Sequence, residues 1–352
     1  MHEFTEANLS LIYGVVMFDF KVIPGTAVKA VLAEHAAAAL DDVQAAYLAH
    51  HDRQTVNPDS YFLRFPDAPR DRIIALPASI GADIRVAGIK WIASFPQNVD
   101  RGLPRASAVL LLNDPATGYP FACIEGAIIS AVRTAASAVL GAYWLNGCRR
   151  TAGTVAFVGA GVIARNIYDM FEADGWTFDE VLVHDTDSAS AVALGAHVRM
   201  RVRNTKVAIA DSLEDALNAD VVVFATNASS PYVHRPQGFS PRQTILNISL
   251  RDLAPELILS AFNVFDDVDH CLKAETSPHL AEKLCGDRRF VGGTLAALIR
   301  GEIKRDSTRP AVFSPFGMGI LDLALGRRVY DKACARGLAI DVPGFFGETS
   351  RW

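Results

Sequence analysis

The sequence predicts an α/β protein in which a doubly wound parallel sheet is joined to a separate α+β domain. Three observations point there. A strand, glycine turn, helix, second strand and acid follow one another from Gly153 to Asp187. Beyond them, short apolar runs alternate with helical or turn segments to about Asp266. Before them, residues 61–123 have a β-rich texture and no nucleotide motif. The expected division is a first domain over residues 1–130, to which 320–352 return, and a second over 131–319.

At 352 residues, 50% hydrophobic and 21% charged, the chain has room for two domains with a large core. Its net charge of −5 gives no electrostatic case for nucleic acid or an anionic membrane surface. The opening residues MHEFTEANLSLIYG lack the basic flank and long apolar core of a signal peptide. The longest apolar stretches read as too short to span a bilayer. Cys123, Cys148, Cys271, Cys285 and Cys334 are odd in number and scattered, with no CxxC or ligand spacing. Reduced thiols in a cytoplasm are expected, and no metal.

In chain order, Gly25 to about Asp52 reads as one alanine-rich helix with Val28, Val31, Leu32, Val43, Tyr47 and Leu48 as apolar positions. His50 and His51 read as cations at its C-terminus rather than metal ligands. Asn57-Pro58-Asp59-Ser60 breaks it. Strands follow at 61–65, 72–77, 86–92, 108–113 and 119–123. In the third, Ile89 and Trp91 share one face and Lys90 points to the other. Asp114-Pro115-Ala116-Thr117-Gly118 between the last two is a hairpin signal. Glu125 to about Asn146 is a helix of small residues in which Arg133-Thr134 sits among alanines and serines.

The central stretch then builds a nucleotide site. Gly159 permits the tight strand-to-helix turn, and Gly161 lets the backbone approach a pyrophosphate with no Cβ in the way. Ala164 stands where the GxGxxG fingerprint has its third glycine, a position that needs only close helix–strand packing. The helix beginning at Val162-Ile163 offers free N–H groups and a positive dipole end to the phosphates. Asp185, at the tip of the second strand, can accept hydrogen bonds from a ribose 2′-hydroxyl. No arginine follows to receive a 2′-phosphate, so NAD is favoured over NADP. This is a Rossmann-type pattern.

In such a fold the ligand crevice lies beyond the C-terminal strand ends. That brings forward Thr226-Asn227 and Ser249-Leu250-Arg251-Asp252, each after an apolar run. Asp252 could exchange a proton with a substrate amine, or simply be a turn residue before the helix that Pro255 starts. Lys90, Arg64 and Arg133 are isolated cations suited to carboxylates; a solvent-facing lysine and structural arginines are the alternatives. Asp41-Asp42, Asp266-Asp267 and Asp269 read as solvated charges or caps. There is no Ser-His-Asp order, HExxH or Walker A motif. Near the end, Ser314-Pro315-Phe316-Gly317-Met318-Gly319 introduces a helix from Ile320 that returns to the first domain.

These pieces together resemble the ornithine cyclodeaminase/μ-crystallin family. The matching motifs are Gly88-Ile89-Lys90-Trp91, Asp114 with Thr117-Gly118-Tyr119-Pro120, Arg133-Thr134-Ala135-Ala136, Gly159 to Ala164, and Asp252-Leu253-Ala254-Pro255-Glu256. Their order and spacing hold over almost the whole chain. The passages 61–66, 90–98, 103–108 and 247–252 resemble one branch most. The resemblance implies NAD-dependent oxidative cleavage of N-(2-amino-2-carboxyethyl)-L-glutamate to L-2,3-diaminopropionate and 2-oxoglutarate, serving siderophores or peptide antibiotics. Ala254-Pro255-Glu256 replaces the lysine-bearing segment of the cyclodeaminases, which counts against ornithine cyclisation. A simpler amine or imine oxidoreductase (an alanine dehydrogenase or ketimine reductase), an ornithine cyclodeaminase despite that departure, and a non-catalytic NAD(P)- and ligand-binding protein are the other readings.

The same resemblance implies Arg64 and Arg133 on substrate carboxylates, and Arg133-Thr134 near the cofactor phosphates. It implies Lys90 binding carboxylate or activating water, and Asp252 as acid/base. Phe316-Gly317-Met318 would border the nicotinamide. It also implies a homodimer through the N-terminal domain and a PLP-dependent synthase supplying the substrate.

Overall fold

The structure, a computed structural model, describes residues 18–81 and 83–349; the leader reading of residues 1–14 lies outside them. The chain forms two compact units. One joins the residues up to Glu34 with Thr55–Ile129 and the residues from Asp322 onward; the other joins His35–Gln54 with Ser130–Leu321.

The first unit is built on an eight-stranded mixed sheet. Its strands are β1 (Lys21–Ile23), β2 (Thr55–Val56), β3 (Tyr61–Phe65), β4 (Ala68–Ile80), β5 (Val86–Ser94), β6 (Ala106–Asn113), β7 (Pro120–Glu125) and the short strand Ile340–Asp341. That last strand pairs β1, and β7, β6, β5 and β4 follow in order, with β2 and β3 both on β4. Strands β4 to β7 pair antiparallel, each with the next in sequence; β5 reaches β6 through the short 3-10 helix Pro96–Arg101. At the β6–β7 turn the Asp114 carboxylate accepts from the Ala116 and Thr117 N–H groups at 2.9 and 2.8 Å, and Gly118 has φ +79°. Strand alternation sends Leu110, Leu112 and Ile124 into the core.

The second unit holds eight parallel strands: β8 (Thr151–Val158), β9 (Thr177–His184), β10 (Lys206–Ile209), β11 (Val221–Phe224), β12 (Thr244–Asn247), β13 (Phe262–Phe265), β14 (Val291–Thr294) and β15 (Ala311–Ser314). Their spatial order is β10-β9-β8-β11-β12-β15-β13-β14. The chain winds outward from β8 to β10, then returns to β11 beside β8. In doubly wound sheets such a reversal marks where ligands bind, here at the C-terminal ends of β8 and β11. Phe157, Phe224, Phe265 and Phe313 are fully buried in this unit.

Three expectations are corrected. The long first helix is two, Gly25–Glu34 and Ala38–His51. The second of these belongs with the parallel sheet's unit rather than with a continuous domain over 1–130. Its side chains explain why: the Tyr47 hydroxyl meets Ser137 Oγ at 2.6 Å, and His50 and His51 meet Asp267 and Glu302 at 3.0 Å each. Both histidines are thus bonded to carboxylates, beyond their place at a helix end. The third correction concerns apolar length. The 20-residue helix Gly126–Leu145 is long and apolar enough to cross a membrane, but 67% of its most apolar window is buried, as in a core helix. The five cysteines are all free.

Candidate nucleotide and substrate sites

In the parallel-sheet unit the turn after β8 has the form the sequence predicts. Gly159 has φ +94°, and a Cβ there would meet the Ala225 carbonyl oxygen at 2.6 Å, so this crossing to the β11 end requires glycine. A Cβ on Gly161 would point into open space. The helix Val162–Ala173 begins after Gly161 with no side-chain cap, so its first-turn N–H groups face outward without a side-chain acceptor. Val162 is exposed and Ala164 fully buried, the latter serving helix–strand packing. Asp185 follows β9; its carboxylate accepts from the Ala160 N–H at 2.7 Å and the Asp187 N–H at 2.9 Å. The acid is thereby tethered to the glycine turn. An open glycine, uncapped N–H donors and an anchored carboxylate fit a dinucleotide: pyrophosphate at the helix end, ribose at Asp185.

Beyond β11 and β12 the structure gathers Thr226, Ser249 and Asp252. The Thr226 hydroxyl donates to Asp252 Oδ1 and the Ser249 hydroxyl to Oδ2. Asp252 is 0% exposed, so it is neither a surface turn residue nor an open acid. Between Ser249 and Asp252, Leu250 holds φ +70° while buried, a backbone state costly for a bulky residue. Asn227 is exposed.

Tyr232 completes the group and sequence reasoning missed it. A lone bridge, Val233 to Leu253, aligns the two segments; the Tyr232 and Val233 N–H groups donate to the Asp252 carbonyl at 3.1 and 2.9 Å. The Tyr232 phenol lies within hydrogen-bonding reach of the Asp252 carboxylate and the Thr226 hydroxyl; burial, then the Asp252 charge, push its pKa far up. Tyr232 is nevertheless 40% exposed. It is the solvent-facing member of a buried carboxylate's cluster. The sequence signal was faint: a tyrosine in the loop after Thr226.

Elsewhere in this unit, the Phe316 and Gly317 N–H groups donate to Asp266 Oδ1 and Oδ2 at 2.9 and 2.7 Å. Asp266 is therefore a buried acceptor rather than a solvated charge, while Asp267 does cap a helix, accepting from the His270 N–H at 2.8 Å. Gly317 has φ +90°, and a Cβ there would meet Arg133 Nη1 at 2.7 Å. Arg133 and the Phe316-Gly317 turn are thus brought together. The Thr134 hydroxyl is turned back onto its own helix, donating to the Ser130 carbonyl at 2.7 Å. Met318 is buried in the core, away from any open surface.

In the mixed-sheet unit, Lys90 faces inward. It is 2% exposed and donates to Asp322 Oδ2 at 2.7 Å, itself 0% exposed. A buried ammonium needs such a partner, and the carboxylate orients it. Arg64 stands on exposed β3, its guanidinium 5.1 Å from the Phe62 ring centre. Among the described residues no group of three or more His, Cys, Asp or Glu side chains is arranged for a metal ion.

Residues 26–246 match the ornithine cyclodeaminase/mu-crystallin family. N-((2S)-2-amino-2-carboxyethyl)-L-glutamate dehydrogenase of Staphylococcus aureus is 30% identical over 85% of this chain and 91% of its own. Among solved structures, the Thermococcus litoralis delta(1)-pyrroline-2-carboxylate reductase, in complex with NADH and L-proline, superposes with a TM-score of 0.83 at 22% identity, covering 92% of this chain and 100% of that one. An archaeal alanine dehydrogenase dimer with bound NAD gives 0.82 at 23%, over 93% and 100%. At those identities the two structures speak for the fold alone. Family model and curated relative agree over most of the chain, which places this protein in the ornithine cyclodeaminase/mu-crystallin family.

Proposed function

We propose that the protein is an NAD-dependent oxidoreductase that cleaves N-(2-amino-2-carboxyethyl)-L-glutamate into 2-oxoglutarate and L-2,3-diaminopropionate. The balance is conjugate, NAD+ and water on one side, and the two products, NADH and a proton on the other. The observation that carries the reading is the cationic face of the mixed sheet. Lys90 and Arg64 project from the same side of paired strands, and the substrate has three carboxylates to occupy cations. The similarity to the S. aureus dehydrogenase supports it.

Bound NAD+ would supply hydride acceptance from the glutamyl Cα. Gly159, Gly161, Val162, Ile163 and Asp185 would hold it, and Arg133 with Thr134 would meet its phosphates. Arg133 would in addition take a substrate carboxylate. The Phe316-Gly317 turn, anchored by Asp266, would border the nicotinamide, next in sequence to buried Met318. Lys90, oriented by Asp322, would bind carboxylate or polarise the attacking water. Asp252 is closed to solvent, so a proton it exchanges with the amine would pass through the hydroxyls of Thr226, Ser249 or Tyr232.

A second copy would dock on the other face of the mixed sheet. Tyr61 and Trp91 lie in one register across β3, β4 and β5, Val109 continues it on β6, and all three are exposed. The conjugate requires a synthase that joins an aminoacrylate equivalent to glutamate, PLP chemistry in kind. Free thiols suit a reducing cytoplasm.

NADH formation with the conjugate, compared with ornithine, alanine and glutamate, tests the proposal. Turnover of the conjugate alone with release of 2-oxoglutarate is expected. Turnover of alanine or ornithine in its place would reassign the substrate, and NAD binding without any turnover would favour a binding protein.

A further inference from the structure

We infer that Arg64, Arg72 and Arg105 form one anion site on the Lys90 side of the mixed sheet, built for the outlying carboxylates of a small polycarboxylate. The inference rests on the proposed reaction only for the ligand's identity. Register carries the geometry. Arg64 on β3 is paired directly with Arg72 on β4, and Arg72 with Ser94 on β5. Directly paired residues share a face, so these three side chains stand in a row across the sheet. Arg105, entering β6, closes the row: its Nε donates to Ser94 Oγ at 3.3 Å. Lys90 is four residues before Ser94 on the same strand, hence on the same face, about 13 Å away along it.

Like charges placed directly opposite one another are destabilising unless something neutralises them. Among the described residues no carboxylate forms an ion pair with any of the three, whereas Arg150, Arg288, Arg300 and Arg327 each have one. Burial, then the Arg64 charge, lowers the pKa of Arg72; burial, then the Arg72 charge, lowers that of Arg105. Two partly buried guanidiniums are therefore held against each other's field and at a desolvation cost. Their planar forks match carboxylates in bidentate fashion, which a lysine does not do. A ligand with one carboxylate at Lys90 and others several bonds away would use both ends of this face; a monocarboxylate such as alanine would not.

The probe is tricarballylate, titrated by calorimetry at low salt into the intact protein and into Arg72→Gln and Arg105→Gln, with acetate as the monocarboxylate comparison. The expected result is saturable binding of tricarballylate, weakened roughly ten- to hundredfold in either variant, with NAD affinity unchanged. Unliganded, both variants should melt no lower than the parent, because removing a like charge relieves repulsion. Absence of tricarballylate binding, equal binding by the variants, or variants that melt lower without ligand would each overturn the site. Kinetics separate this from the reaction itself. If the variants process the conjugate with unchanged KM, the site is wrong and the reaction stands. If tricarballylate binding is lost in the variants but the parent does not oxidise the conjugate, the site stands and the reaction is wrong.

Discussion

In the parallel sheet, β11, β12, β13 and β15 read VVVF, TILN, FNVF and AVFS, and every residue in them is buried. In the mixed sheet, β3 reads YFLRF with four of its five residues exposed, and β5 carries buried Lys90 next to exposed Trp91. A sheet covered on both faces has only its strand ends left for chemistry. Its candidate groups accordingly sit after β8, β9, β11 and β12. A sheet with one open face can use the faces themselves, one for cations and one for apolar contact. On the proposed reading the chemistry would divide along that line: strand ends for the nucleotide, a strand face for the carboxylates.

The largest effect that would break this comparison concerns Lys90. Lys90→Ala should cut turnover by about 10²–10⁴-fold in steady-state assays, as loss of a positioned acid/base or binding group does. A near-parental rate would remove Lys90 from the reaction. Asp322→Ala, which removes the carboxylate from a buried ion pair, should cost about 3–5 kcal/mol in denaturant unfolding; a neutral result would mean the pair does not hold that part of the fold. At the strand ends, Asp185→Ala should weaken NAD binding roughly tenfold by titration while the fold is kept. Unchanged affinity would put the ribose elsewhere.

Trp91→Glu tests the apolar face. Sedimentation should show dissociation of a dimer with the monomer still folded, and an unaltered oligomer would place the contact on another surface. The smallest effect is in acid. Burial alone would raise the Asp267 carboxyl, but hydrogen bonds from His270 and His50 hold it well below the usual range. A carboxylate depressed in the folded state contributes stability above its unfolded pKa of about 4, and that contribution is lost as pH falls below it. Asp267→Ala, which also removes a helix cap, should therefore cost about 1 kcal/mol at neutral pH and flatten the decline in acid. An unchanged acid limb would contradict the assignment.

What could be read from the sequence follows the same division. The glycine turn, its helix and Asp185 lie within 35 consecutive residues, so local chemistry specifies them. Apolar runs marked the parallel strands, and Asp114 to Gly118 marked a hairpin by turn chemistry alone. The partners across distance were not legible. Lys90 meets an aspartate 232 residues away, and nothing local in GIKW points to it. Arg72 becomes Arg64's neighbour only once the β3–β4 register is set, since a one-residue slip would turn one of them to the other face. Tyr232 reaches Asp252 through a single bridge with no periodic signature. Alanine-rich composition suggested one helix over 25–52, whereas the first helix ends at Glu34, where the chain passes from one unit to the other. Asp252 was found by position, after a buried strand; its enclosure by hydroxyls required the fold.

The most direct measurement is isotope transfer from the conjugate carrying deuterium at the glutamyl Cα. The account predicts that deuterium appears on the reduced nicotinamide, with 2-oxoglutarate and L-2,3-diaminopropionate released in equal amounts. Reduced nicotinamide without deuterium, or products other than that pair, would contradict it.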